Sequence, residues 1–178
     1  MLDAAKYFVQ EILKDGSKVT IRAIHPDDKD GLVEAFAALE PQTVRLRFFY
    51  PKQSLTDDDL RRLQQMDYQQ HVGLAATVQC GAEEVIVGFG EYVACDQSAE
   101  IAFVVEEDWQ GRGIGSQLLK HLIRIAHERG LVQFEAEVLK ENGPMLAVFR
   151  HSGLAMTTRN SDDTVLVTLV LNAHHHGD

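Results

Sequence analysis

The stretch Ile101-Ala102-Phe103-Val104-Val105-Glu106-Glu107-Asp108-Trp109-Gln110-Gly111-Arg112-Gly113-Ile114-Gly115 decides the fold. It closes a strand read over residues 99–106, rich in apolar, β-branched and aromatic side chains. Beyond it the pattern turns helical: Ile114, Leu118, Leu122 and Ile125 recur at helical spacing, with Leu119, Ile123 and Ala126 widening the stripe. Between strand and helix stand glycines at 111, 113 and 115. Without Cβ atoms they let backbone amides approach a ligand closely, and the helix N-terminus adds partial positive charge. A phosphate is the natural guest. A dinucleotide-binding fingerprint starting at Gly111 needs glycine where Ser116 stands, and the strand before it is not the first of a βαβ series. A Walker A loop needs a Gly-Lys pair, which the sequence lacks.

Upstream, residues 71–79, 85–94 and 99–106 are separated by turn-rich segments and predict an antiparallel meander. Before the meander, residues 1–16 read as an N-terminal helical extension broken by Gly16, and residues 19–24 alternate as a first strand. His25-Pro26-Asp27-Asp28 opens a helix carrying Leu32, Val33, Phe36, Ala37 and Leu39, stopped by Glu40-Pro41. Periodicity does not resolve Arg45 to Pro51. Thr56-Asp57-Asp58-Asp59 has a capping-box pattern ahead of Leu60, Leu63 and Met66. Downstream, residues 132–138 predict a strand, 142–151 a short helix closed by Gly153, and 164–171 a last strand. The order is α+β, with one domain over 17–171 and a flexible tail over 172–178. Its three adjacent histidines lack the rigid geometry of a specific metal site.

Composition narrows the function. The chain has 178 residues, 45% hydrophobic and 25% charged, which suits a single globular domain. A net charge of -10 argues against nucleic-acid binding, which depends on clustered Lys and Arg, and suits a cationic partner such as an amine. No apolar run is long enough for a membrane span, and Met1 to Gly16 lacks the pattern of an export signal. Cys80 and Cys95 form neither a disulfide framework nor a zinc motif, so no metal is expected and the cytoplasm fits.

Residues 101–115 resemble the acetyl-CoA-binding motif of the GNAT superfamily of N-acetyltransferases, Gln/Arg-x-x-Gly-x-Gly/Ala after the fourth strand, with Gln110, Gly113 and Gly115 in the defined places. Asn142 to Leu154 is similar to the superfamily's later Asn-x7-Phe/Tyr-x3-Gly-Phe/Leu stretch. Arg45-Leu46-Arg47-Phe48-Phe49 and Asp67-Tyr68 resemble the acetyltransferase domain of Pat-type protein lysine acetyltransferases. The resemblance implies a mixed, mostly antiparallel sheet of six to seven strands flanked by helices. It also implies transfer of an acetyl group from acetyl-CoA to a primary amine, a protein lysine ranked first. A small-molecule amine and a noncatalytic acyl-CoA-binding module are the alternatives; a homodimer is one assembly open to such a domain.

The same resemblance implies residue roles. The loop Gly111, Arg112, Gly113, Ile114, Gly115, Ser116, with Gln110 before it, would hold the pyrophosphate of coenzyme A. Pantetheine would lie along Phe103, Val104 and Val105, pairing with an opened strand edge, and a main-chain N–H there would polarise the thioester. An ammonium at neutral pH needs a general base, and Glu100, on the face shared with Ala102 and Val104, is the expected one, with Glu91 on the adjacent strand as the alternative. Glu135 and Glu137 read as solvent-facing. Asn142 is expected to bond pantetheine or water, or to cap a helix. Phe149 stands where many members place a tyrosine; it cannot protonate the leaving thiolate, but it could pack beside the cofactor.

Overall fold

The computed structural model describes residues 2–49 and 52–171. In chain order the strands are β1 (Phe8–Ile12), β2 (Lys18–Ala23), β3 (His71–Cys80), β4 (Glu83–Cys95), β5 (Ser98–Val105), β6 (Gln133–Leu139), β7 (Ala155–Asn160) and β8 (Thr164–Val170). They form one sheet in the order β1-β2-β3-β4-β5-β6-β8-β7. Only the β5–β6 pairing is parallel. The α+β class and the meander stand as expected, but the sheet has eight strands rather than six or seven.

The two extra strands are the edges. Ala4, Ala5, Phe8, Val9, Ile12 and Leu13 recur at helical spacing, yet only Ala4–Lys6 makes a helical turn, of the 3-10 type. The predicted N-terminal helix is therefore corrected to a strand. Gly16, at φ 87°, closes a hairpin in which the Leu13 N–H donates to the Ser17 carbonyl at 2.8 Å, and β1 pairs with β2. Pairing with β2 supplies tertiary hydrogen bonds that an isolated short helix lacks. β7 is exposed at every residue but Met156 and polar from Thr157 on, so it carries little period-2 signal.

Helices cover both faces. α1 (Lys29–Ala37), α2 (Pro41–Phe48) and α3 (Asp57–Gln64) lie on one, where Leu32, Ala35, Leu55 and Leu63 join Ile24, Ala75, Ile86 and Phe89. Pro41, read as a stop, occupies the first turn of α2, where its missing N–H is harmless. α3 has the expected capping box, with Thr56 Oγ1 accepting from the Asp59 N–H at 3.1 Å. α4 (Ile114–Glu128) and α5 (Gly143–Arg150) lie on the other face, where Ile114, Leu118, Leu122 and Ile125 are buried in the main core with Tyr92, Phe103 and Phe134. Gly88 and Gly90 of β4 admit this layer: a Cβ at Gly90 would stand 2.7 Å from the Phe103 ring. The tail over 172–178 lies outside the described residues.

Candidate active site

β5 is paired with β4 along its length but meets β6 only at Ser98↔Gln133, Ala99↔Phe134 and Glu100↔Glu135. Beyond Glu100 the two strands part. The cleft between them is walled by Ile101, Ala102 and Phe103 on one side and Ala136, Glu137 and Val138 on the other. Asn142, Met145 and Phe149 close it from α5, and Leu46 and Arg47 from α2. The Glu106 N–H donates to the Val87 carbonyl at 2.9 Å, and the Val105 carbonyl accepts from Gln110 Nε2 at 2.8 Å. Main-chain groups of successive strand residues point to opposite edges. The N–H and C=O of Ile101 and Phe103 therefore face the opened edge, whereas those of Val104 face β4. Of the three strand residues expected beside the cofactor, Phe103 presents backbone to the cleft, Val104 offers only its side chain, and the Val105 carbonyl is held by Gln110.

The glycine turn follows directly. Gly111 has φ 74° and Gly113 φ 96°, and a Cβ on either would meet nothing within 4 Å, so both face open space. Gly113 caps α4, whose first ladder bond runs from the Gln117 N–H to its carbonyl at 3.0 Å. The N–H groups of residues 114–116 have no partner within the helix, as at any helix start, and none from residues 111–113 finds an acceptor among the described residues. Arg112 lies over the Trp109 ring at 4.5 Å and reaches Asp15 at 3.5 Å. Ser116 is exposed beside these amides, while the Ile114 side chain is 1% exposed and belongs to the core, leaving only its N–H for the turn. A Cβ at Gly115 would stand 3.5 Å from Val148 of α5, so the two helices approach closely here.

The acids separate by environment. Glu100 is exposed at the point where the strands part. Glu91, the alternative base, is 3% exposed and fully engaged: Oε1 accepts from Arg62 at 2.9 Å and Arg47 at 3.2 Å, and Oε2 meets His71 Nε2 at 2.7 Å. Burial pushes its carboxyl up, but the His71 bond and the Arg62 and Arg47 charges outweigh that and hold it below the usual carboxylate range. Such a group is a weak base. Glu135 is half-buried and Glu137 exposed. Asn142 Oδ1 caps α5 by accepting from the Met145 N–H at 3.3 Å. Phe149 is 1% exposed and packs on Phe103 with ring centroids 6.0 Å apart.

A second cavity, about 90 Å³, lies between the α1–α3 layer and the sheet. Its walls are mostly apolar, with Glu106, Arg47, Asp59, Arg62 and Glu91 as the charged members, and Arg47 also lines the cleft. Burial, and the charges of Asp108 and Glu107, raise the Glu106 carboxyl against a backbone hydrogen bond from Asp108. Neither this cavity nor the guanidinium cluster around Glu91 is visible in the sequence. The one signal was the mixture of cations and aromatics from Arg45 to Phe49, which has no clear period. Across the sheet, the buried His121 of α4 bonds Tyr7 Oη at 2.5 Å and Glu11 at 2.8 Å, tying the N-terminal hairpin to that helix.

Residues 39–154 match the acetyltransferase (GNAT) family. An acetyltransferase of Pseudomonas aeruginosa is 32% identical over 69% of the chain and 67% of its own length. The acetyltransferase Pat of Mycolicibacterium smegmatis is 29% identical over 79% of the chain, which spans only 42% of that protein. The crystal structure of the GNAT domain of S. lividans PAT superposes with a TM-score of 0.83 at 31% identity, covering 92% of this chain and 96% of that one.

Proposed function

The chain belongs to the GNAT acetyltransferase family, and we propose that it transfers an acetyl group from acetyl-CoA directly to a primary amine, a protein lysine first among acceptors. The observation that carries this reading is the continuity of the opened β5 edge with the unpaired N–H groups of residues 111–116. From Val105 back to Glu100 the strand covers about 17 Å, comparable to an extended pantetheine arm. The loop amides hold the pyrophosphate with Arg112 adding charge, and the Ile101 and Phe103 backbone pairs with pantetheine as a further strand would. The Phe103 N–H donates to the thioester oxygen as charge develops there. Asn142 caps α5 with its oxygen and keeps its amide N–H groups for the pantetheine.

Glu100 is the general base. It takes a proton from the ammonium through water, and the freed lone pair attacks the thioester carbon. A C–N bond forms, the nitrogen gives up its second proton to water, and the C–S bond breaks as the thiolate leaves with the electron pair. Phe149 has no proton to give, so the thiolate is protonated by solvent.

A lysine acceptor is supported by the Pat-like upstream motifs and by the face carrying Glu100, Glu135 and Glu137, which suits a cationic side chain. The small, mostly apolar cavity beneath α1–α3 favours a small amine as the second reading. Among the described residues no helix is long and apolar enough to cross a membrane, consistent with action in the cytoplasm. Glu100→Gln should retain acetyl-CoA binding and lower turnover of an accepted amine about 100-fold. Unchanged turnover removes Glu100 from its role. Acetyl-CoA binding without turnover of any amine, lysine peptide or cell protein would make the chain a noncatalytic binding module.

A further inference from the structure

Among the described residues, Arg47 is the one common to the walls of the β5–β6 cleft and of the apolar cavity. Its side chain is 18% exposed, and among the described residues its guanidinium has a single hydrogen-bond acceptor, Glu91 Oε1 at 3.2 Å. That oxygen already accepts from Arg62 at a shorter 2.9 Å, and the other oxygen of Glu91 is taken by His71. Of the remaining acids, Asp59 adds a Coulombic attraction but no hydrogen bond to Arg47. Asp59 is engaged by Lys52 at 2.8 Å and by the Thr56 N–H. Glu106 sits beside Val87, four residues along β4 from Glu91 and about 13 Å from it along the strand. Burial accordingly pulls the Arg47 guanidinium below its usual range despite Glu91. A guanidinium carries five N–H donors in a fork that fits a carboxylate, and a desolvated one gains most from such a partner.

Resting on the acyltransferase reading, we propose that Arg47 is a specificity-determining residue, receiving a ligand carboxylate carried on a short hydrocarbon chain next to the reacting carbonyl. The walls fit that ligand. Leu32, Phe36, Leu39, Phe89 and Val104 accommodate methylene groups, while Arg47, with donors to spare, lines both this cavity and the cleft that Ile101, Ala102 and Phe103 wall. The carboxylate can come from either reactant: the far end of a dicarboxylic acyl group, or an amino-acid-like amine. Transfer is unchanged in both cases, a C–N bond replacing the C–S bond while the carboxylate is a spectator.

The test uses matched pairs. Binding of succinyl-CoA and butyryl-CoA is measured by calorimetry, and kcat/KM is measured for both with one lysine peptide. Separately, γ-aminobutyrate and butylamine are compared as acceptors with acetyl-CoA. The carboxylate-bearing member of one pair should be favoured at least about 10-fold in the unaltered protein, and Arg47→Gln should lower that ratio by about 10- to 100-fold, the range for a charge-assisted hydrogen bond. A gain confined to the acyl pair places the carboxylate on the donor; a gain confined to the amine pair places it on the acceptor. Equal behaviour within both pairs overturns the inference, as does a preference that survives Arg47→Gln. Should Arg47→Gln not fold, Arg47→Lys, which keeps the charge but lacks the fork of donors, should lower the ratio in its place, and an unchanged ratio in it overturns the inference. Failure of acetyl-CoA itself to bind would instead sink the acyltransferase reading.

Discussion

Gly113→Ala separates the two things that the glycine turn does. At φ 96° an L-residue is strained, and the added Cβ meets no protein atom within 4 Å, so the stability loss is conformational rather than steric. That strain is about 1 to 2 kcal/mol. For a domain of this size each kcal/mol lowers Tm by about 2 to 4 °C, so a fall of about 2 to 8 °C is expected. The methyl enters open space beside the N–H groups of residues 111–116 that lack a protein partner. Displacing a phosphate by one methyl disrupts one or more charge-assisted bonds of about 1.5 to 3 kcal/mol each, a loss of about 10- to 100-fold in affinity. Calorimetric titration with acetyl-CoA, below the melting transition of the variant, measures the second effect, and a thermal melt without ligand measures the first. A folded Gly113→Ala protein with wild-type affinity for acetyl-CoA would refute the phosphate cradle. A loss of affinity without any fall in Tm would refute the strain argument.

Other perturbations test the surrounding structure. Glu91→Gln leaves two guanidiniums without their shared carboxylate and should destabilise by about 3 to 5 kcal/mol in urea unfolding. The low carboxyl of Glu91 contributes stability above the unfolded carboxyl range and loses it as pH falls through its folded value, so the gap between wild type and variant should narrow in acid. His121 is held neutral by burial, below its ordinary value of 6.5; stability from this source is complete above that pH and declines as the pH drops below it. His121→Phe should flatten that decline in pH-dependent melts. Gly90→Ala would set a methyl 2.7 Å from the Phe103 ring and should lower stability by about 1 to 3 kcal/mol, with a weaker response to acetyl-CoA because Phe103 borders the cleft.

The sequence exposed the elements whose periodicity matches their burial. α4 has one buried stripe and β3 to β5 are bounded by turns, so each is legible. β1 inverts the rule. Its apolar Phe8 and Ile12 face outward, 60% and 69% exposed, while Glu11 points toward His121, so the alternation that marks a strand is missing and helical spacing takes its place. α2 was hidden because Pro41 can end a helix or begin one, and only tertiary packing chooses. In the candidate site, the glycine turn was readable because backbone geometry dictates glycine. The engagement of Glu91 was not, since its three partners come from residues 47, 62 and 71, on three separate elements.

The three-residue seam between β5 and β6 divides the sheet into two rafts, β1 to β5 and β6 to β8, that share few of their own hydrogen bonds. A molecule laid along both free edges would act as a splint. Its concentration would then set how stiffly the rafts are joined: a ligand at 100 times its Kd adds about 2.7 kcal/mol to the folded state. Amide exchange in β6, which borders the seam, should report that stiffening more sharply than exchange in β3, whose neighbours are paired on both sides.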